Sequence, residues 1–207
     1  MKLKKIYPPL LERLQSLENF EPSEMLLEVF GTLKSGADVF VAAPSGAGKT
    51  FASVLHILQR LQQPEGESPR ALVLVPDNQR GEEWKAVFDH LNTNQQLRLY
   101  WSKDKTDIDE DKNLISLGID VLLGSPNRIN QLFAGAGFDA NRLLIWCLDD
   151  ADELVKMRTE QVILRLNESI NKPQRVVWTS TFSERLYVLV DKITTEVLEF
   201  DFEDFED

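Results

Sequence analysis

The sequence predicts an α/β domain: a mainly parallel sheet of about seven strands, covered by helices on both faces. Two patterns carry this prediction. Short apolar, β-branched runs recur along the chain, and segments with helical apolar spacing lie between them. The runs are continuously apolar rather than alternating, as expected of strands buried on both sides. The 207 residues, 43% of them hydrophobic, suffice for one such domain and would be cramped as two.

Residues 8–17 and 23–33 have the spacing of two helices that precede the sheet, the second ending at Ser35-Gly36. The strand runs are 39–43, 71–75, 97–101, 121–123, 144–148, 175–178 and 196–200. Helical spacing appears in Phe51-Val54-Leu55-Leu58-Leu61, in Trp84-Val87-Phe88-Leu91 and in Leu154-Met157-Val162-Leu166. Residues 64–69 and the acidic stretch 104–111 read as exposed loops. Ligands of such a sheet bind at the carboxyl ends of its strands.

The formal charge of −11 counts against a strong grip on a phosphate backbone, which rewards a basic surface. Residues 199–207 hold six acids and no base, and without them the remainder carries −5. That stretch alternates Phe200, Phe202 and Phe205 with carboxylates and reads as a solvated end after the last strand, or as a short motif for a protein partner. We divide the chain into a domain over 1–200 and an acidic tail over 201–207. No run of about 18 apolar residues occurs, and the basic start is not followed by an apolar stretch. The expectation is a soluble, cytoplasmic protein with no membrane partner. Cys147, the single cysteine, lies in the apolar run 143–148 and reads as core. His56 and His90 are too isolated to suggest a metal site.

The first chemical motif is Ala43-Pro44-Ser45-Gly46-Ala47-Gly48-Lys49-Thr50, set between a strand run and a helical segment. Backbone N–H groups must point at a phosphate to hold it, and Gly46 and Gly48 permit that wrap. Pro44, Ser45, Gly46, Ala47, Gly48, Lys49 and Thr50 are therefore the candidate cradle for ATP. Lys49 is expected to reach the β- and γ-phosphates and Thr50 to hold Mg²⁺, with the following helix presenting its positive end. The second motif is the run Leu144-Ile145-Trp146-Cys147-Leu148 ending in Asp149-Asp150-Ala151-Asp152. An acid at the end of a buried strand is well placed to act on magnesium beside the loop.

The order and spacing of these two motifs resemble a DEAD-box helicase of superfamily two, specifically the first of its two RecA-like domains, a three-layer αβα P-loop NTPase fold. Asp149-Asp150-Ala151-Asp152 stands where that family has Asp-Glu-Ala-Asp. The resemblance implies that Asp149 coordinates magnesium with Thr50, and that Asp150, with Lys49 the other catalytic candidate, replaces the glutamate that positions the attacking water. One methylene shorter, the Asp150 carboxylate falls roughly 1–1.5 Å short, a displacement able to cost ~10²-fold in rate.

Other matches are partial. Residues 20–26 lie at the family's adenine-reading motif, but Leu26 stands where a glutamine is expected and cannot make that amide's paired hydrogen bonds. Tyr7 and Phe20 are aromatics that could stack on a base or pack in the core. Val75-Pro76-Asp77-Asn78-Gln79-Arg80 keeps only the proline of the first RNA-contacting motif. Gly124-Ser125-Pro126-Asn127-Arg128 resembles Thr-Pro-Gly-Arg, so Pro76, Ser125, Pro126 and Arg128 are the nucleic-acid candidates. Thr179-Ser180-Thr181 matches Ser-Ala-Thr, which implies that Asp152, Thr179 and Thr181 couple the γ-phosphate site to interdomain movement.

No second RecA-like domain follows in these residues. In the family that domain supplies arginines to ATP, and such a group contributes ~10³–10⁵ in rate in related phosphoryl transfers. The expectation is an ATP- and Mg-binding helicase-like domain, weakly hydrolytic alone and unable to unwind by itself. Its expected partners are single-stranded RNA, weakly, and a protein or second helicase domain in trans. A non-catalytic partner-recruiting module and a DNA-directed superfamily-two relative are the alternatives.

Overall fold

The computed structural model describes residues 3–202. Chain order is α1 (Pro8–Ser16), α2 (Glu24–Ser35), β1 (Asp38–Ala42), α3 (Lys49–Leu61), β2 (Ala71–Leu74), α4 (Asn78–Leu91), β3 (Leu99–Ser102) and α5 (Ile108–Ser116). It continues with β4 (Val121–Gly124), α6 (Pro126–Ala134), β5 (Ile145–Leu148), α7 (Ala151–Lys156), α8 (Glu160–Ser169), β6 (Gln174–Thr179), α9 (Glu184–Ile193) and β7 (Val197–Asp201). The seven strands form one sheet in the order β3-β4-β2-β5-β6-β1-β7, and every pairing is parallel.

Strand pleating sends alternate residues into two cores. Val39, Val41, Val73, Cys147 and Trp178 face the layer built by α1 to α4, while Phe40, Leu72, Trp146, Leu148 and Val177 face the layer of α5 to α9. Both faces of the central strands are therefore dry, the physical reason for their uninterrupted apolar sequences. Ser23 caps α2 by accepting from the Leu26 amide, and Ser183 caps α9 through the Leu186 amide. No helix of the described residues is long and apolar enough to cross a membrane.

Three expectations are corrected. The stretch 104–111 is only partly a loop, because Asp107 accepts from the Asp109 and Glu110 amides and starts α5. Its acids suit the positive end of that helix. The spacing over 154–166 is two helices: α7 ends, Arg158 takes φ 60°, and the Thr159 hydroxyl satisfies the Leu154 carbonyl at 2.8 Å. Phe202, read as part of a solvated end, is buried against the α1–α4 core, its amide donating to the Ala42 carbonyl at 2.9 Å. Phe205 lies outside the described residues.

Because all strands run the same way, their carboxyl ends share one edge. The order β2-β5-β6-β1 puts the acidic turn after β5 one strand away from the loop after β1, with the end of β6 between them.

Candidate nucleotide-binding site

The loop after β1 leaves the sheet at Ala43, whose amide donates to the Thr179 carbonyl at 3.1 Å. Gly46 and Gly48 take φ 88° and 90°, a region costly to residues with a Cβ, and an added Cβ at either would stand in open space. Conformation rather than crowding therefore requires these glycines. Pro44, Ser45 and Gly46 are exposed, and Gly48 caps α3, whose first turn carries no acid. The first-turn amides have no acceptor within the helix, so loop and helix together present donors and a positive end outward.

Lys49 is buried, and its ammonium donates to the carbonyls of Ala43 (2.6 Å) and Pro44 (3.0 Å) and to Ser180 Oγ (3.3 Å). Burial pulls its pKa down, against the charges of Asp150, Asp149 and Asp152. Thr50 donates its hydroxyl to Asp149 Oδ2 at 3.3 Å. Asp149 Oδ1 is buried with no hydrogen-bond partner, and burial, with the Asp150 charge, raises this carboxyl to about 7. An orphaned carboxylate oxygen beside a hydroxyl fits a hard divalent cation, which takes oxygen ligands and completes its shell with phosphate and water. No group of three His, Cys, Asp or Glu side chains suited to a metal occurs among the described residues.

Asp150 takes a left-handed conformation, φ 51° and ψ 54°, which asparagine and aspartate tolerate best after glycine. Burial raises its pKa against the opposing charges of Arg80 and Lys49. Asp152 Oδ1 accepts from the Ser180 amide and lies 3.1 Å from the Thr179 hydroxyl, which also lies 2.7 Å from the Thr181 carbonyl. One hydroxyl proton thus serves two acceptors. Thr181 joins this knot through its backbone, since its own side chain is exposed and donates to the Phe182 carbonyl.

The family model for the DEAD/DEAH box helicase matches residues 25–188, most of the chain. The chain belongs to the DEAD/DEAH box helicase family. The part described here is the first RecA-like domain of that family. Among its relatives are the pre-mRNA-processing ATP-dependent RNA helicase PRP5 of Candida albicans, 25% identical over 85% of this chain and 21% of that protein, and human ATP-dependent RNA helicase DDX50, 26% identical over 80% and 24%. Eukaryotic initiation factor 4A of Caenorhabditis elegans is 26% identical over 77% of this chain and 40% of its own. The solved S. cerevisiae Dbp5, bound to Gle1 and IP6, superposes with a TM-score of 0.86 at 20% identity, covering 96% of this chain and 51% of that one, a likeness of fold. The chain spans less than half the length of these curated relatives.

In this DEAD-box domain Leu26 is buried and apolar, and Phe20 stacks on Phe51 with ring centroids 5.4 Å apart. A cavity of about 430 Å³ lies between Ser23, Glu24 and Met25 on one side and residues 44–47 on the other, with Phe202 in its wall. Tyr7 packs against the core.

The nucleic-acid candidates are turned inward. Pro76 and Pro126 are buried, and Ser125 caps α6 while donating to Asp104 Oδ1 at 2.6 Å. Arg128 is buried, paired with Asp111 Oδ2 at 2.8 Å, and its guanidinium also donates to Ser102 and Thr106. Asp111 draws it in: although burial opposes that charge, hydrogen bonds from Ser102, Arg128 and Tyr100 hold the carboxyl below its usual range. Arg128 therefore cannot serve as a surface phosphate contact in this conformation. The outward side chains on the same turns are Asp77, Asn78, Gln79 and Asn127. Two site residues escaped sequence reasoning. Ser180 reaches Lys49, and Arg80 pairs with Asp150, Nε to Oδ2 2.8 Å. Only their positions in matched segments hinted at them.

Proposed function

We propose that this domain binds Mg-ATP through the loop 44–50 and Asp149, and serves as a weak, partner-dependent ATPase of the RNA-helicase type with no unwinding of its own. The observation that carries this reading is the convergence of Lys49, Thr50 and Asp149 at one sheet edge, with Asp149 Oδ1 buried and without a hydrogen-bond partner. In this reading the amides after Gly46 hold the phosphates and Lys49 leaves the loop carbonyls for the β- and γ-phosphate oxygens. Thr50 and Asp149 would hold magnesium, which shields phosphate charge when bound. Asp150 orients water from a carboxylate one methylene too short, so hydrolysis is slow. Asp152, Thr179 and Thr181 would link the phosphate site to the rest of the assembly. RNA contact is weak, given an overall charge of −11 and inward-facing Arg128. Dbp5 in its solved structure is bound to Gle1, and a protein partner or second helicase domain would complete this site too.

Binding without turnover is the second reading, favoured by the charge pair that occupies Asp150. Both readings meet the same experiment. Mg-ATP and Mg-ADP should raise the melting temperature of the wild type and not of Lys49→Ala. Turnover should be slow, stimulated by single-stranded RNA and increased by Asp150→Glu. A shift without turnover in any variant selects the second reading, and no shift at millimolar nucleotide overturns both.

A further inference from the structure

Arg80 occupies a position that the stability of its helix does not explain. It lies in the first turn of α4, where a cation opposes the helix dipole. Its Nη1 donates to Glu83 Oε2 at 2.6 Å, an exposed pair of the kind that contributes little. The other face of the guanidinium meets the site, with Nε 2.8 Å from Asp150 Oδ2, and this contact acts through charge rather than as an aligned hydrogen bond. Burial dominates the pKa shifts of Lys49, which falls, and of Asp149, which rises, and the Arg80 charge is a smaller influence on each. Its side chain is 43% exposed, whereas that of Asp150 is 11% exposed, so the guanidinium stands at the mouth of the site with donors still uncommitted.

Resting on the nucleotide reading above, we infer that Arg80 is a phosphate-sensing residue that adds an in-cis guanidinium contact to the terminal phosphate and so favours a nucleoside triphosphate over a diphosphate. In that reading the terminal phosphate lies between Lys49 and Asp150, next to this guanidinium. A phosphate with about two negative charges and three acceptor oxygens competes well with one carboxylate for a planar fork of donors. Asp150 and Glu83 hold the arginine in place beforehand, which lowers the ordering cost when the phosphate arrives. Transfer of Arg80 to the phosphate also frees Asp150, so one movement couples recognition of the triphosphate to release of the acid.

The test measures Mg-ADP and a Mg-bound, non-hydrolysable β,γ-imido ATP analogue by calorimetry on wild type, Arg80→Ala, Arg80→Lys and Lys49→Ala. Arg80→Ala should weaken the triphosphate analogue by about tenfold or more while ADP changes by less than about twofold, the signature of one lost ionic hydrogen bond. Arg80→Lys should fall between, since a point charge replaces the fork. Equal weakening of both nucleotides in Arg80→Ala, or no weakening of either, overturns the inference and leaves the phosphate-loop reading standing. Failure of the wild type to bind either nucleotide overturns that reading and this one with it. An unchanged circular-dichroism melt for Arg80→Ala without nucleotide certifies that the fold is intact.

Discussion

The Thr50 hydroxyl and Asp149 Oδ2 stand 3.3 Å apart, joining the first turn of α3 to the end of β5 across 99 residues of sequence. The partner oxygen of the same carboxylate is buried and unsatisfied, and the group is pushed up to about 7. A proton and a divalent cation compete for such a carboxylate. At pH 6 the proton is favoured, and by pH 8 most of the carboxyl is ionised. The extra thermal stabilisation by ADP on exchanging EDTA for Mg²⁺ should therefore grow between pH 6 and 8. Asp149→Asn should remove that increment while retaining most of the Mg-free shift. An increment independent of pH would refute the role of Asp149.

Asp152 is tied to the end of β6 by the Thr179 hydroxyl and the Ser180 amide. Thr179→Val keeps the shape and removes the hydroxyl, leaving a buried carboxylate short of a donor. Urea unfolding should show a loss of about 1–3 kcal/mol. The ADP-induced shift should persist, since this hydroxyl is engaged by Asp152 and the Thr181 carbonyl.

Arg128 and Asp111 form a buried pair inside the α5–α6 corner. Removing one partner strands the other, so Arg128→Ala or Asp111→Ala should cost about 3–5 kcal/mol in urea unfolding. The double replacement Asp111→Leu with Arg128→Met should cost less than the sum of the singles. Additive losses would mean that the two side chains do not act as a pair.

His56 is buried beneath α2, with Nε2 2.9 Å from Gln174 Oε1, and burial lowers its pKa to about 4. The unfolded value is near ~6.5. Above pH 6.5 both states are neutral and the native state keeps the full contribution. As pH falls from 6.5 through 4 the unfolded chain takes up a proton that the native state refuses, and stability drops by at most about 3 kcal/mol. In His56→Gln that part of the acid limb should be missing from denaturation curves taken between pH 4 and 7.

The strands were legible in the sequence because burial on both faces writes itself as an apolar run, and 71–75 or 144–148 can hardly be read otherwise. The glycine-rich loop was legible because its glycines answer a local backbone demand, positive φ at 46 and 48. Misreadings occurred where local signals are ambiguous. The acids of 104–111 suggested solvent but supply the cap and first turn of α5. The apolar spacing over 154–166 continued through a turn that only Thr159 and the left-handed Arg158 reveal.

By itself the sequence determined the αβα class, the glycine-rich loop and the acidic turn, all of them signals contained within about ten neighbouring residues. Tertiary structure alone decided that Arg80 meets Asp150, that Lys49 meets Ser180 and that Arg128 turns inward to Asp111. Those pairings join residues 17 to 131 apart in the chain. They follow from the strand order β3-β4-β2-β5-β6-β1 and from which helix covers which face, and no local pattern of residues encodes that order.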